Sequence, residues 1–168
     1  MRPFTAPGLC LALLGCTPMK AASVPPPPEA AANTAVTIKA TCETGDPCVY
    51  RSGELHILIA ITNRTASPIG FPLAFVQKTG PSIRLTDSRG GEDFWLRTNL
   101  APDTLREDFT TIQPSGSVTL RWLIHASELE VFTRRPLDVT AEISVAPQSL
   151  ARKTLFLTTG KLRITGPK

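Results

Sequence analysis

From residue 35 onward, apolar and polar residues alternate one by one. Val36, Ile38 and Ala40 are interleaved with Thr37, Lys39 and Thr41. Leu55, Ile57, Ile59 and Ile61 form a second apolar row, set against His56, Leu58, Ala60 and Thr62. Val118, Leu120, Trp122 and Ile124 form a third, and Val139, Ala141, Ile143 and Val145 a fourth. Side chains on a strand point to opposite faces in turn, whereas a helix repeats every 3.6 residues. A period of two therefore describes strands with one face in a core and the other in water.

Turn chemistry separates the rows. Asn63–Pro68, Thr79-Gly80-Pro81, Asp87–Gly91 and Pro114-Ser115-Gly116 are rich in the residues that turns require. Further strands are expected near 69–76, 82–86, 92–97, 109–112 and 153–165. No long helical pattern competes; a single helical turn is expected at Ser127–Val131, capped by Ser127. About eight short strands at this spacing predict an all-β fold, a two-sheet antiparallel sandwich whose inward rows make the core. Residues 35–168 are long enough to bury such a core without help from a metal.

Two segments carry a likeness to a known class. Ile59-Ala60-Ile61-Thr62-Asn63 is a strand running into an asparagine turn, and Ile112–Leu120 runs through Pro114-Ser115-Gly116 into the next strand. This pattern resembles bacterial immunoglobulin-like domains, with a transthyretin-like sandwich as the alternative. No cysteine pair bridges two core strands, which sets it apart from antibody domains. The resemblance implies a fold and no activity.

The first residues follow another logic. Arg2 is followed by an apolar stretch, Gly8 to Leu14, too short to span a bilayer and of the length of a secretory leader. Leu13-Leu14-Gly15-Cys16 resembles the lipobox of bacterial lipoproteins, with Leu14 where smaller residues are more usual. That resemblance implies a signal peptide over 1–15, acyl chains on Cys16 and a chain held in the bacterial cell envelope. Two or more acyl chains make attachment effectively permanent. Thr17, rather than Asp, follows the cysteine. In lipoproteins of enteric-type Gram-negative bacteria, this implies the outer membrane, facing the periplasm. An ordinary signal peptide, cut near Ala21 or Ala22, is the alternative.

Residues 16–34 read as a tether. Pro25-Pro26-Pro27-Pro28 and Ala30-Ala31-Ala32 dominate it, and large apolar residues are few. Proline runs favour an extended polyproline II segment, and at about 3.1 Å per residue the tether reaches roughly 55 Å.

The chain has four cysteines. Cys10 leaves with the leader and Cys16 is the lipid site, which leaves Cys42 and Cys48 around Gly45-Asp46-Pro47. In an exported protein this pair reads as a disulfide across a turn. Redox pairs usually hold two residues between the cysteines and start a helix, and neither condition is met.

Chemistry beyond this is sparse. The net charge is +4, with 18 cations interleaved among 14 acids. The densest basic spots are Arg134-Arg135, Arg152-Lys153 and Lys161/Arg163, which argues against a nucleic-acid partner and leaves room only for a weak anionic one such as a lipid headgroup. The two histidines, His56 and His125, lie opposite apolar rows and read as surface groups. Asp87, Glu92 and Asp93 flank one turn, and Asp103, Glu107 and Asp108 lie in the 97–108 loop. Neither set has calcium-loop spacing. No nucleophile motif, cofactor motif or metal set is present. Asn63-Arg64-Thr65 matches a glycosylation sequon and reads as a turn.

Phe94-Trp95-Leu96 stands out. Alternation sends Trp95 to one face and its neighbours to the other, next to a charged hairpin carrying Arg89 and Glu92. Trp95, Arg89 and Glu92 are the candidate partner-binding residues. The expected function is that of a non-enzymatic, membrane-anchored interaction module with an envelope protein partner, either scaffold or inhibitor/immunity protein. A cell-wall or lipid-acting enzyme and a glycan-binding module are the alternatives.

Overall fold

The computed structural model describes residues 35–132 and 136–167. The expected leader, Cys16, the tether and the Arg134-Arg135 pair lie outside the described residues.

The elements run β1 (Val36–Cys42), β2 (Cys48–Val49), β3 (Leu55–Asn63), β4 (Ile69–Phe71), α1 (Leu73–Thr79), β5 (Ser82–Asp87), β6 (Asp93–Trp95), β7 (Thr110–Ile112), β8 (Ser117–Ile124), α2 (Ala126–Glu130), β9 (Asp138–Val145), β10 (Gln148–Ser149) and β11 (Thr158–Thr165). The fold is all-β, as alternation predicts. The strands form three sheets, ordered β1-β3-β8, β10-β4-β7 and β2-β11-β9-β5-β6. Every pairing is antiparallel except β2 with β11.

The rows read from the sequence reach the core. Leu55, Ile57, Ile59 and Ile61 of β3 are buried, and so are Val139, Ala141, Ile143 and Val145 of β9. They join Ile83, Leu85, Leu120, Ile124 and Ile164 in one buried cluster. Each buried valine, leucine or isoleucine among them contributes roughly 1.5–3 kcal/mol of transfer free energy. Register is fixed accordingly, because a slip by one residue would turn every isoleucine of β3 outward.

Trp122 departs from its row. Its ring, like Val118, is half-buried against the core, while Leu120 and Ile124 of the same row are fully buried. It lies flat on Gly80, where any side chain would strike the ring. Gly80 also has φ of +90° and ends α1 by donating its N–H to Val76 O at 2.8 Å.

α1 corrects the expectation of a strand over 69–76. The strand stops at Phe71, because Pro72 has no N–H to give a ladder. Leu73 and Val76, three positions apart, then turn toward the core as a helix face. Pro at the start and Gly at the end are helix punctuation. α2 falls where a helical turn was expected, but its cap is His125, not Ser127. His125 is extended, and its N–H donates to the Glu128 carboxylate at 2.9 Å.

Cys42 and Cys48 form a disulfide. It does more than close a turn. Cys42 ends β1 in one sheet and Cys48 begins β2 in another, so the bond ties the two larger sheets together. The same two sheets approach at the other end of β1, where Ile38 lies against Gly160 of β11.

A third junction is polar. Asn63 is fully buried at the end of β3. Its amide nitrogen donates to Ser67 O at 2.9 Å and Ile112 O at 3.0 Å. Its Oδ1 accepts from Thr65 N and Thr65 Oγ1 at 2.8 and 2.7 Å. The backbone of Asn63 closes on Gly116 and Ser115. One side chain thus uses all four of its hydrogen-bonding positions to hold the 63–68 turn against β7.

Candidate functional site

The five-stranded sheet presents one face to the core and one outward. Directly opposed residues share a face, so the register gives the outer surface row by row. Trp95, Arg84, Glu142 and Lys161 form one row across β6, β5, β9 and β11. Asp93, Thr86, Thr140 and Arg163 form the next. Ser82, Ser144 and Thr159 follow, with Ser144 and Thr159 hydroxyls 3.2 Å apart.

Opposite charges alternate across this lattice and hold each other. Arg84 Nε donates to Asp93 Oδ2 at 2.7 Å, Lys161 Nζ lies 3.8 Å from Glu142, and Arg163 grips Asp138 with two bonds of 2.9 Å. The doubly held Asp138 carboxyl is kept below the usual carboxylate range. The Arg163 hydrogen bonds are the main cause, opposed by partial burial, with Ser88 and the charge of Arg89 assisting.

Trp95 stands at the margin of this face, on the outermost strand. It is 55% exposed, while Leu96 beside it is 7% exposed and Phe94 is half-buried against the core. The strand phase therefore spends the smaller residues of the triplet on the core and leaves the indole outside. The Arg84 guanidinium lies over the ring, 5.8 Å from its centroid, at the outer limit of a cation–π contact. Arg84 is itself held by Asp93, so the indole is flanked by a fixed guanidinium.

Arg89 and Glu92 are both exposed but stand in the β5–β6 turn, at the tip of the hairpin. The Arg89 N–H donates to Asp87 Oδ1 at 2.8 Å, and Glu92 O accepts from Asp87 N. At about 3.3 Å per residue, Glu92 is roughly 10 Å from Trp95 along the strand. The residues that share Trp95's face at close range are Arg84 and Asp93. Sequence reading missed them because the choice between Arg84 and Arg89 depends on β5–β6 register. The alternation of Ile83, Leu85 and the hairpin signal at Gly90-Gly91 would have found it.

A second recess lies between β6, β8 and α2, lined by Phe94, Asn99, Trp122, His125 and Glu128 among others. His125 Nδ1 is 3.7 Å from Glu54, and both groups are exposed. In the 97–108 loop, Asp103 pairs with Arg106 at 3.1 Å, and the Arg106 guanidinium lies 4.7 Å over the Phe75 ring of α1. Among the described residues, no group of three acids, histidines or cysteines converges as a metal set.

No protein-family model and no curated protein matches this chain. Among solved structures, the chain is similar to the X-ray structure of Northeast Structural Genomics Consortium target SoR45, with a TM-score of 0.50, 10% identity and coverage of 80% of this chain and 88% of that one. A Pseudomonas fluorescens alkylpurine DNA glycosylase, AlkC, bound to DNA with an abasic site analog, matches at a TM-score of 0.42 and 10% identity; 80% of this chain aligns with 31% of that one. A protein from Archaeoglobus fulgidus matches at 0.36 and 12% identity, over 79% and 97% of the two chains. The likeness to SoR45 is one of fold.

Proposed function

We propose that the chain is a lipid-anchored protein of the bacterial cell envelope whose domain is a non-enzymatic protein-interaction module. Cys16 carries the lipid, residues 17–34 are the tether, and the outer membrane facing the periplasm is the site. The domain is an immunoglobulin-like sandwich in this reading. Strand order supports that: taken as A, A′, B, C, C′, E, F and G, the strands β1, β2, β3, β5, β6, β8, β9 and β11 give A-B-E over A′-G-F-C-C′, the division of strands typical of such domains.

The observation that carries the interaction reading is Trp95. A large aromatic left outside, flanked by a fixed Arg84 at the rim of a flat polar face, has the composition of an interface anchor. β6 is also an outermost strand, which a partner strand can extend. The partner is an envelope protein, bound as a scaffold member or as a target of inhibition.

Two experiments test this reading. Cys16→Ser should abolish incorporation of labelled fatty acid and release the chain from membranes; unchanged membrane association would remove the anchor. Cross-linking in the native cells, with a domain-deleted tether as control, should recover one dominant envelope protein with the intact chain alone. A second reading, as a glycan-binding module, rests on the recess beside Trp122. Soluble cell-wall fragments that quench Trp122 fluorescence at saturable concentration would favour it over the Trp95 face.

A further inference from the structure

The hairpin between β9 and β11 carries a feature that neither core nor partner face uses. Its backbone is closed by its own bonds: Ser149 N to Thr154 O at 2.8 Å, Lys153 N to Ser149 O at 2.8 Å and Phe156 N to Pro147 O at 2.7 Å. Phe156 turns inward and packs against the core. Its neighbours Leu155 and Leu157 therefore turn outward, 63% and 70% exposed. Leu150 lies over Gly70 beside Phe109 and is 42% exposed. Exposed leucines on this scale mark contact with something apolar when they are grouped.

The charges within the hairpin are of one sign. From Ile143 to the end the chain contains no Asp or Glu. Lys161 and Arg163 are paired with Glu142 and Asp138 on the sheet face. Arg152 and Lys153, at the tip of the hairpin, are exposed and form no ion pair among the described residues. Leucines flanked by long cationic side chains suit the boundary of an anionic bilayer: the leucines enter the acyl margin while the ammonium and guanidinium groups stay at the headgroups.

Position selects the same occupant. The chain enters the domain at Ala35, whose carbonyl accepts from Arg64 N at 2.8 Å. Ile38, near the start of β1, lies against Gly160, near the start of β11. At the far ends of the same two strands, Cys42 is bonded to Cys48, which pairs with Ile164. β1 and β11 thus run the same way, and the hairpin that precedes β11 is at the end of the domain where the N-terminal segment joins it. A membrane anchor on that segment would attach the domain to the bilayer from this end.

We infer that the 148–157 hairpin is a membrane-contact element, in which Leu155 and Leu157 insert at the surface of an anionic phospholipid bilayer while Arg152 and Lys153 engage its headgroups. The inference rests on the anchored-domain reading, because the anchor keeps the hairpin within reach of a bilayer to which it binds on its own.

The test removes the anchor and asks what the hairpin does alone. The full chain carrying Cys16→Ser is floated with vesicles of phosphatidylglycerol and phosphatidylethanolamine, and with neutral phosphatidylcholine vesicles. Arg152→Gln with Lys153→Gln should weaken binding to the anionic vesicles roughly thirtyfold, the effect of two surface cations. Leu155→Ser with Leu157→Ser should weaken it comparably, with thermal melting unchanged since both leucines are exposed. Neutral vesicles should bind poorly, and added salt should weaken binding to the anionic ones. Equal binding by parent and both variants, or no binding by the parent, overturns the inference. So does loss, in the hairpin variants, of a cross-linked protein partner with vesicle binding intact. Fatty-acid labelling of the unaltered chain is read separately, so failure of the anchor and failure of the hairpin give different results.

Discussion

Asn63 and Trp95 invert the usual relation between hydropathy and burial. Asn63 is polar and fully buried; Trp95 is the larger and more apolar, and over half of it is exposed. The asparagine is tolerated because every donor and acceptor it carries is matched, by Ser67, Ile112 and Thr65. The tryptophan has no comparable enclosure. The Arg84 guanidinium that lies over its ring is itself on the surface. One residue holds the fold and contributes nothing to the outer face. The other should be removable from the fold at little cost.

The largest effect should come from Asn63→Ala. It leaves the Ile112 carbonyl and the Thr65 N–H without their partner, removes one of the two hydrogen bonds to the Ser67 carbonyl, and should cost about 3 kcal/mol in denaturant unfolding. A cost under about 1 kcal/mol would mean that water replaces the amide and that the contrast with Trp95 fails. Cys42→Ser with Cys48→Ser should cost about 2 kcal/mol, the value for a short loop. Because the bond joins two sheets, the loss should also raise amide exchange in β2. Loss confined to the 43–47 turn would limit the disulfide to the turn. Trp95→Ala should change stability by less than about 1 kcal/mol. A larger loss would make Trp95 a structural residue.

The smallest effect concerns acid. Asp138 has its pKa depressed by Arg163, so its contribution to stability is present above the unfolded carboxylate value and is lost as pH falls through the folded one. Arg163→Gln should be slightly less stable than the parent near neutral pH. The gap should begin to close near pH 4, where the unfolded carboxylate takes its proton, and vanish once pH falls below the lowered folded value. A gap that stays constant into acid would mean that Arg163 acts through packing alone.

Legibility in the sequence followed burial on one face. β3 and β9 could be read residue by residue, since each alternates strictly and each outward position is polar or half-buried. α1 could not, because Ile69–Val76 is an apolar run that both helix and strand accommodate, and only Pro72 and Gly80 mark the difference. β2 and β10 are two residues long and exist through tertiary pairing with β11 and β4. Trp122 read as core because its strand is in phase, but the phase does not separate the half-buried Val118 and Trp122 from the fully buried Leu120 and Ile124. Asn63 read as a surface turn because its partners are supplied by residues as far away as Ile112. At the candidate site, the singularity of Trp95 was legible. Which way it points was not, since Phe94, Trp95 and Leu96 are all suited to a core.

The most direct test of the account is to cross-link parent and Trp95→Ala chains in the native cells and compare what is recovered, alongside the unfolding free energy of each. The account predicts that the substitution removes one envelope protein from the cross-linked set while membrane-bound amount and stability stay at the parent's level. Recovery of the same proteins in the same amounts would contradict it, and would move the interaction off this face of the sheet.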